Sequence, residues 1–203
     1  MDLLTQGLVG SALAQSFSES KAQHRAALCG AIAGLAPDLD ALISSSTDPL
    51  LNLDYHRHFS HSLVFIPVGA SIAALLIWFV ARRRFSFRET WIACFLGYGT
   101  HGLLDTCTSY GTHLLWPFTL DRVSWNLVSI IDPLFSLPLL IMTILGVWHR
   151  RIWFPRAAAI FCVCYLLFAF CQHRQAESAQ SELIIQRDHN SIRHIIKPSI
   201  GNV

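Results

Sequence analysis

Apolar residues fall along this chain in long blocks, not in the narrow stripes of a water-soluble fold. The run Ser62 to Ala81 ("SLVFIPVGASIAALLIWFVA") carries no charge, and as a helix it spans a bilayer core of roughly 30 Å. Val128 to Trp148 is apolar apart from Asp132 and reads as a second crossing. Trp91 to Leu104 and Phe154 to Phe170 are shorter or less pure, and Ala26 to Ala36 ("AALCGAIAGLA") is shorter still. The pattern predicts an all-α, polytopic membrane helical bundle of about four transmembrane helices plus two short N-terminal helices. The membrane-embedded domain is expected over residues 1–171. The polar remainder, 172–203, reads as an outer amphipathic flap or a disordered tail.

Composition strengthens this picture: 53% of the 203 residues are hydrophobic, 14% are charged, and the mean hydropathy is +0.44. A formal net charge of +2 says little about partners, but its distribution says more. Lys21 and Arg25, then Arg82, Arg83, Arg84 and Arg88, then Arg150, Arg151 and Arg156 form three basic clusters between apolar segments. Under the positive-inside rule these loops are cytoplasmic, which fixes the direction of each crossing. Asp2 follows Met1 with no basic region before the first apolar residues, so no cleavable signal peptide is expected. The six cysteines form no CxxC pair and suggest neither a disulfide framework nor a zinc knuckle. Ala26, Gly30 and Gly34 recur every four residues and offer one small-residue face for close helix approach.

In that orientation four polar motifs arrive at one outer layer: "PDLD" (Pro37 to Asp40), "HRHFSH" (His56 to His61), "HGLLD" (His101 to Asp105) and Asp132. His101 and Asp105 are four apart and share a helix face, a spacing that lets one helix offer a metal both an imidazole and a carboxylate. If Pro37 opens a helix, Asp38 and Asp40 fall in its first turn. His56 and His61 are five apart, so at least one belongs to the loop before Ser62. The candidate metal ligands are therefore Asp38, Asp40, His56, His61, His101 and Asp105, a donor set suited to Zn²⁺ or Mn²⁺, with two ions possible. Arg57 either holds an anionic substrate or pairs with Asp54. Asp132 has three readings: metal ligand, partner orienting a histidine, or cap of the helix resuming at Pro133. The second is favoured, which makes it a catalytic candidate beside Arg57. Neither a GxSxG elbow nor a Gly-rich phosphate loop occurs, so any catalysis is expected to use metal-activated water.

The stretches "MDLLTQGLVGSAL", "GAIAGLAPDLDAL", "YHRHFSHSL", "HGLLDTCTSYGTHLLWPF" and "SIIDPLFSLPLL" together resemble the YdjM-like family of bacterial inner-membrane proteins, described as LexA-binding, membrane-associated, metal-dependent hydrolases. The resemblance implies a periplasm-facing site built from Asp38, Asp40, His56, Arg57, His61, His101 and Asp105, with Thr108 and Gly111 shaping the loop beyond. It implies contact with a LexA-type repressor through cytoplasmic loops, and no direct nucleic-acid binding. The HxxxD pair is similar to one in zinc-dependent phospholipase C, which implies a phosphodiester or lipid substrate. Gln6 stands where many relatives carry a histidine, and is expected to hydrogen-bond near the site. Relatives tend to extend beyond "KPSIGNV", so a shortened outer C-terminal region is expected. Two rivals to the hydrolase remain: a non-catalytic module binding metal for structure or partner contact, and a proton-coupled transporter using His101 and Asp132 as a relay.

Overall fold

A computed structural model describes the chain except residues 46, 49, 82–84, 188–194 and 200–203. The expected cytoplasmic arginines Arg82, Arg83 and Arg84 lie outside the described residues. Seven α-helices are present among those described: α1 Leu3–Ser16, α2 Gln23–Leu35, α3 Leu51–Tyr55, α4 Ile66–Val80, α5 Phe87–Thr106, α6 Pro133–His149 and α7 Trp153–Gln186. Short 3₁₀ turns, notably Ala36–Leu42 and Phe59–His61, join them at the end where the polar motifs gather.

The fold is all-helical, but the expected count of crossings is met only in part. Among the described residues two stretches are long and apolar enough to span a bilayer, Leu63–Val80 with mean hydropathy 2.5 and Trp153–Gln186, whose most apolar 18 residues average 1.9. Pro133–His149 is apolar but has 17 residues, because Asp132 and Pro133 start the helix five residues later than the apolar run itself begins. The last helix is longer than expected. It continues from its apolar half straight through Gln172 to Gln186, so this part of the polar tail is helical and not a separate flap.

Of the two N-terminal helices, α1 lies inside the bundle and α2 packs on it by one face, leaving Leu28 and Ile32 exposed. Along α1, residues on every side are buried, including Thr5, Gln6, Ser11, Gln15 and Ser16. Two apolar clusters flank it. On one side Leu8, Val9 and Ala12 pack with Phe135, Leu139 and Ala158 of α6 and α7; on the other, Ala14 joins Ala33, Ala70, Ala74 and Cys94 of α2, α4 and α5. Gly30 and Gly34 of the small face meet Gly10 of α1 and Gly97 of α5. A Cβ on Gly10 would lie 2.5 Å from the Gly30 carbonyl oxygen and 3.3 Å from the Gly34 and Gly97 Cα atoms, so these three backbones touch and only glycine fits.

This crossing sets the polarity of the bundle. The start of α1, the end of α2, the end of α5 and the starts of α4 and α6 share one end. The residues Arg25, Arg88, Arg150 and Arg156 stand near the opposite helix ends. Pro67 and Pro133 occupy first turns, where a missing N–H costs nothing, and Pro138 lies inside α6.

Candidate metal centre

The 3₁₀ turn Ala36–Leu42 begins as α2 ends, with Pro37 in its first turn, and carries Asp38 and Asp40. Asp40 is buried and organises the loop before α4. Its Oδ1 meets His56 Nδ1 at 2.8 Å, while Oδ2 accepts from the Arg57 backbone N–H at 2.9 Å and from Ser60 Oγ at 2.6 Å. Arg57 itself has φ +64°, a left-handed conformation that costs a non-glycine residue about 1 kcal/mol or more, and the bond to Asp40 helps hold it there. Tyr98 on α5 fixes the same loop by donating to the Ser60 carbonyl at 2.9 Å. Gly102 leaves room for the His61 backbone, which a Cβ there would strike.

These supports aim two imidazoles at each other. His101 Nδ1 lies 2.6 Å from the Gly34 carbonyl, which can only accept, so Nδ1 carries the proton and Nε2 is a bare acceptor in the neutral ring. His61 Nδ1 lies 3.2 Å from Asp40 Oδ2 and 3.0 Å from Ser60 Oγ, which assigns the same tautomer. The two Nε2 atoms stand 2.9 Å apart. Asp38 Oδ1 lies 3.3 Å from His101 Nε2 and 3.5 Å from His61 Nε2, and Asp105 Oδ2 lies 3.9 and 3.6 Å from them.

Asp105 shows the same division of labour. Its Oδ1 accepts from Gln6 Nε2 at 2.8 Å and from the Met1 amino group. Its Oδ2 is buried with no hydrogen-bond partner: Arg57 Nε is 3.1 Å away as an ion pair but is not aligned to donate. Four acceptor atoms thus converge, and an unpaired buried carboxylate oxygen costs roughly 1–3 kcal/mol unless a cation or proton meets it. The donor set fits a divalent ion of the zinc or manganese type, with the outer hydrogen bonds that metal-ligating histidines normally make.

The electrostatics point the same way. Burial would raise the Asp38 carboxyl, but the His101 and His61 rings in their charged form, with Nε2–H facing it, outweigh burial and hold the group well below the ordinary carboxylate range. Burial likewise opposes ionisation of Asp40, and hydrogen bonds from His61 and Ser60 bring it down to about 2. For His61 burial disfavours the charged ring, yet Asp38 and Asp40 raise its pKa above the usual value. Without a metal, that raised pKa favours a proton on His61 in the cation's place.

Asp38, His61, His101 and Asp105 form one metal-capable group, and Asp38, Asp40 and His56 a second that shares Asp38. Asp132 belongs to neither. It caps α6 through the Leu134 N–H at 3.2 Å and accepts from Tyr165 at 2.6 Å, so of its three readings the geometry supplies the helix cap. Arg57 pairs with Asp105, not Asp54, because its reversed backbone turns the side chain inward, where it is 10% exposed. Gln6 hydrogen-bonds at the site as expected. Sequence reasoning passed over Ser60, Tyr98 and Gly102, whose contacts join residues distant in the chain or act through backbone.

Fold and site together define a helical membrane protein with a buried histidine–carboxylate cluster able to hold a metal ion. The chain belongs to the family described as YdjM inner membrane protein, which matches residues 1–176. It is similar to the inner membrane protein YbcI of Escherichia coli (strain K12), with 31% identity over 112 residues, 52% of this chain and 62% of that protein. The match therefore spans about three fifths of that relative's length. No solved structure matches the chain. It is an inner membrane protein.

Proposed function

We propose that this chain is a membrane-embedded, metal-dependent hydrolase acting on an ester or phosphoester from the periplasmic side. The observation that carries the reading is the convergence of His61 Nε2, His101 Nε2, Asp38 Oδ1 and Asp105 Oδ2 with no proton between them in the neutral tautomers. A zinc or manganese ion held there supplies Lewis acidity and a water nucleophile whose pKa falls towards about 7. The Gly34 carbonyl and Asp40 orient the two imidazoles, and Gln6 and Arg57 steady Asp105. Substrate enters past Asp38 and His56, whose side chains are 19% and 26% exposed while the other ligands are shut in. His56, hydrogen-bonded to Asp40 at that edge, is placed to take or give a proton. Asp38, common to both groups, would bridge a second ion held with Asp40 and His56.

In this reading α4, α5, α6 and α7 are the four crossings. α5 has 20 residues, about 30 Å of helix. The basic residues sit at helix ends remote from the cluster, which supports a cytoplasmic side there and a periplasmic site. Contact with a LexA-type repressor, implied by resemblance, then falls to the cytoplasmic loops.

The test is metal analysis of the purified protein together with turnover of bis(p-nitrophenyl) phosphate, for wild type and His101→Ala. Bound metal and turnover that both vanish in the variant support the enzyme. A closed structural centre is the second reading, favoured by the near-complete burial of His61, His101 and Asp105. It predicts that Asp105→Ala loses stability and that wild type binds metal without turning over any ester.

A further inference from the structure

We infer that Arg122, a residue outside every motif above, is the anion-binding group at the mouth of the metal centre and seats a phosphate-type oxyanion. The anion role expected of Arg57 is unavailable to it, since Arg57 is buried against Asp105 and Thr108. Arg122 lies on the loop that follows α5. Its guanidinium carbon stands 5.1 Å from the centroid of the Tyr110 ring, and that of Arg57 stands 4.8 Å from the same ring. Tyr110, 40% exposed, also meets the His56 ring at 6.4 Å, so one aromatic side chain ties Arg122 to the open edge of the cluster.

Two hydrogen bonds fix the guanidinium there. Nη2 donates to the Leu53 carbonyl at 3.2 Å and to the His56 carbonyl at 3.3 Å. Among the described residues no carboxylate pairs with Arg122, and its Nη1 and Nε donors have no protein partner. A positioned guanidinium with free donors and no counter-ion is the planar fork that recognises phosphate. Exposed apolar residues lie on both segments it joins, Leu53 on one side and Phe118 and Leu120 on the other, so a phosphate borne by an amphiphile in the bilayer surface reaches it as readily as a free one. The inference deepens the proposed function by naming its substrate class, though the anion contact does not itself require the metal.

The test titrates inorganic phosphate and short-chain dihexanoyl phosphatidylglycerol into the full chain in detergent, metal-free and Mn²⁺-loaded. Wild type, Arg122→Gln and Arg122→Lys are compared. Arg122→Gln is expected to weaken at least one probe by about tenfold or more, with partial retention in Arg122→Lys and unchanged Mn²⁺ affinity and melting temperature. Preference for the lipid supports a headgroup ligand, and equal binding supports free phosphate. Equal affinities in wild type and Arg122→Gln, or no binding of either probe to wild type, overturn the inference. Failure of Mn²⁺ to bind wild type overturns the metal-centre reading alone, because metal-free phosphate binding still reports on Arg122.

Discussion

His61 and His101, forty residues apart in the chain, face each other through Nε2 atoms 2.9 Å apart, each ring held from behind by a hydrogen bond on Nδ1. Two lone pairs at that separation repel, so the pair is stable only with a cation or a proton between them.

The outer hydrogen bonds are therefore part of the centre. Asp40→Asn keeps the shape but replaces the charged acceptor behind His61. It is expected to weaken Zn²⁺ or Mn²⁺ binding about 10- to 100-fold, measured by competition with a chelating dye.

Metal-free and metal-bound protein should respond to pH in opposite directions. The His61 pKa is raised in the fold, so its contribution to metal-free stability is full below 6.5 and is lost as pH rises through the raised value. Asp40 is depressed, so its contribution is present above 3.8 and is lost as pH falls towards about 2. The metal-free melting temperature should be highest between 3.8 and 6.5. Metal competes with the His61 proton, so the stabilisation by added Zn²⁺ should grow as pH rises through that same raised pKa. Melting curves with and without metal check both slopes.

Asp132 separates stability from chemistry. Asp132→Ala removes the α6 cap, about 1 kcal/mol, and the hydrogen bond from the half-buried Tyr165 hydroxyl, about 0.5–1.5 kcal/mol more. The variant should melt earlier yet bind metal as wild type does; loss of metal binding in a folded Asp132→Ala protein would return this residue to the site.

The three-helix crossing makes a third demand. Gly10→Ala drives a methyl group against the backbones of α2 and α5 and is expected to destabilise the protein by about 1–3 kcal/mol, read as a lower melting temperature in detergent.

Much of this fold was legible because bilayer length and charge-free runs are one-dimensional signals: Ser62 to Ala81 foretold α4, and the Ala26/Gly30/Gly34 spacing foretold the crossing. The position of α1 was not, since a helix buried on all sides, with Thr5, Gln6, Ser11 and Gln15 among its buried residues, has no apolar stripe to announce it. At the site, the residue types and the HxxxD spacing singled out Asp38, His61, His101 and Asp105, which the fold brings together. What holds them is tertiary: the Gly34 carbonyl behind His101, Tyr98 on Ser60, and the left-handed turn at Arg57 leave no periodic trace. Asp132 stayed ambiguous in the sequence because an acid inside an apolar run signals function and helix capping alike.

The most direct measurement is the X-ray absorption spectrum of the zinc-loaded protein at the metal edge. The predicted result is a first shell of nitrogen and oxygen at about 2.0–2.2 Å with two imidazoles, and no zinc retained by His101→Ala. Zinc absent from folded wild type, or bound with no imidazole signal, contradicts the account.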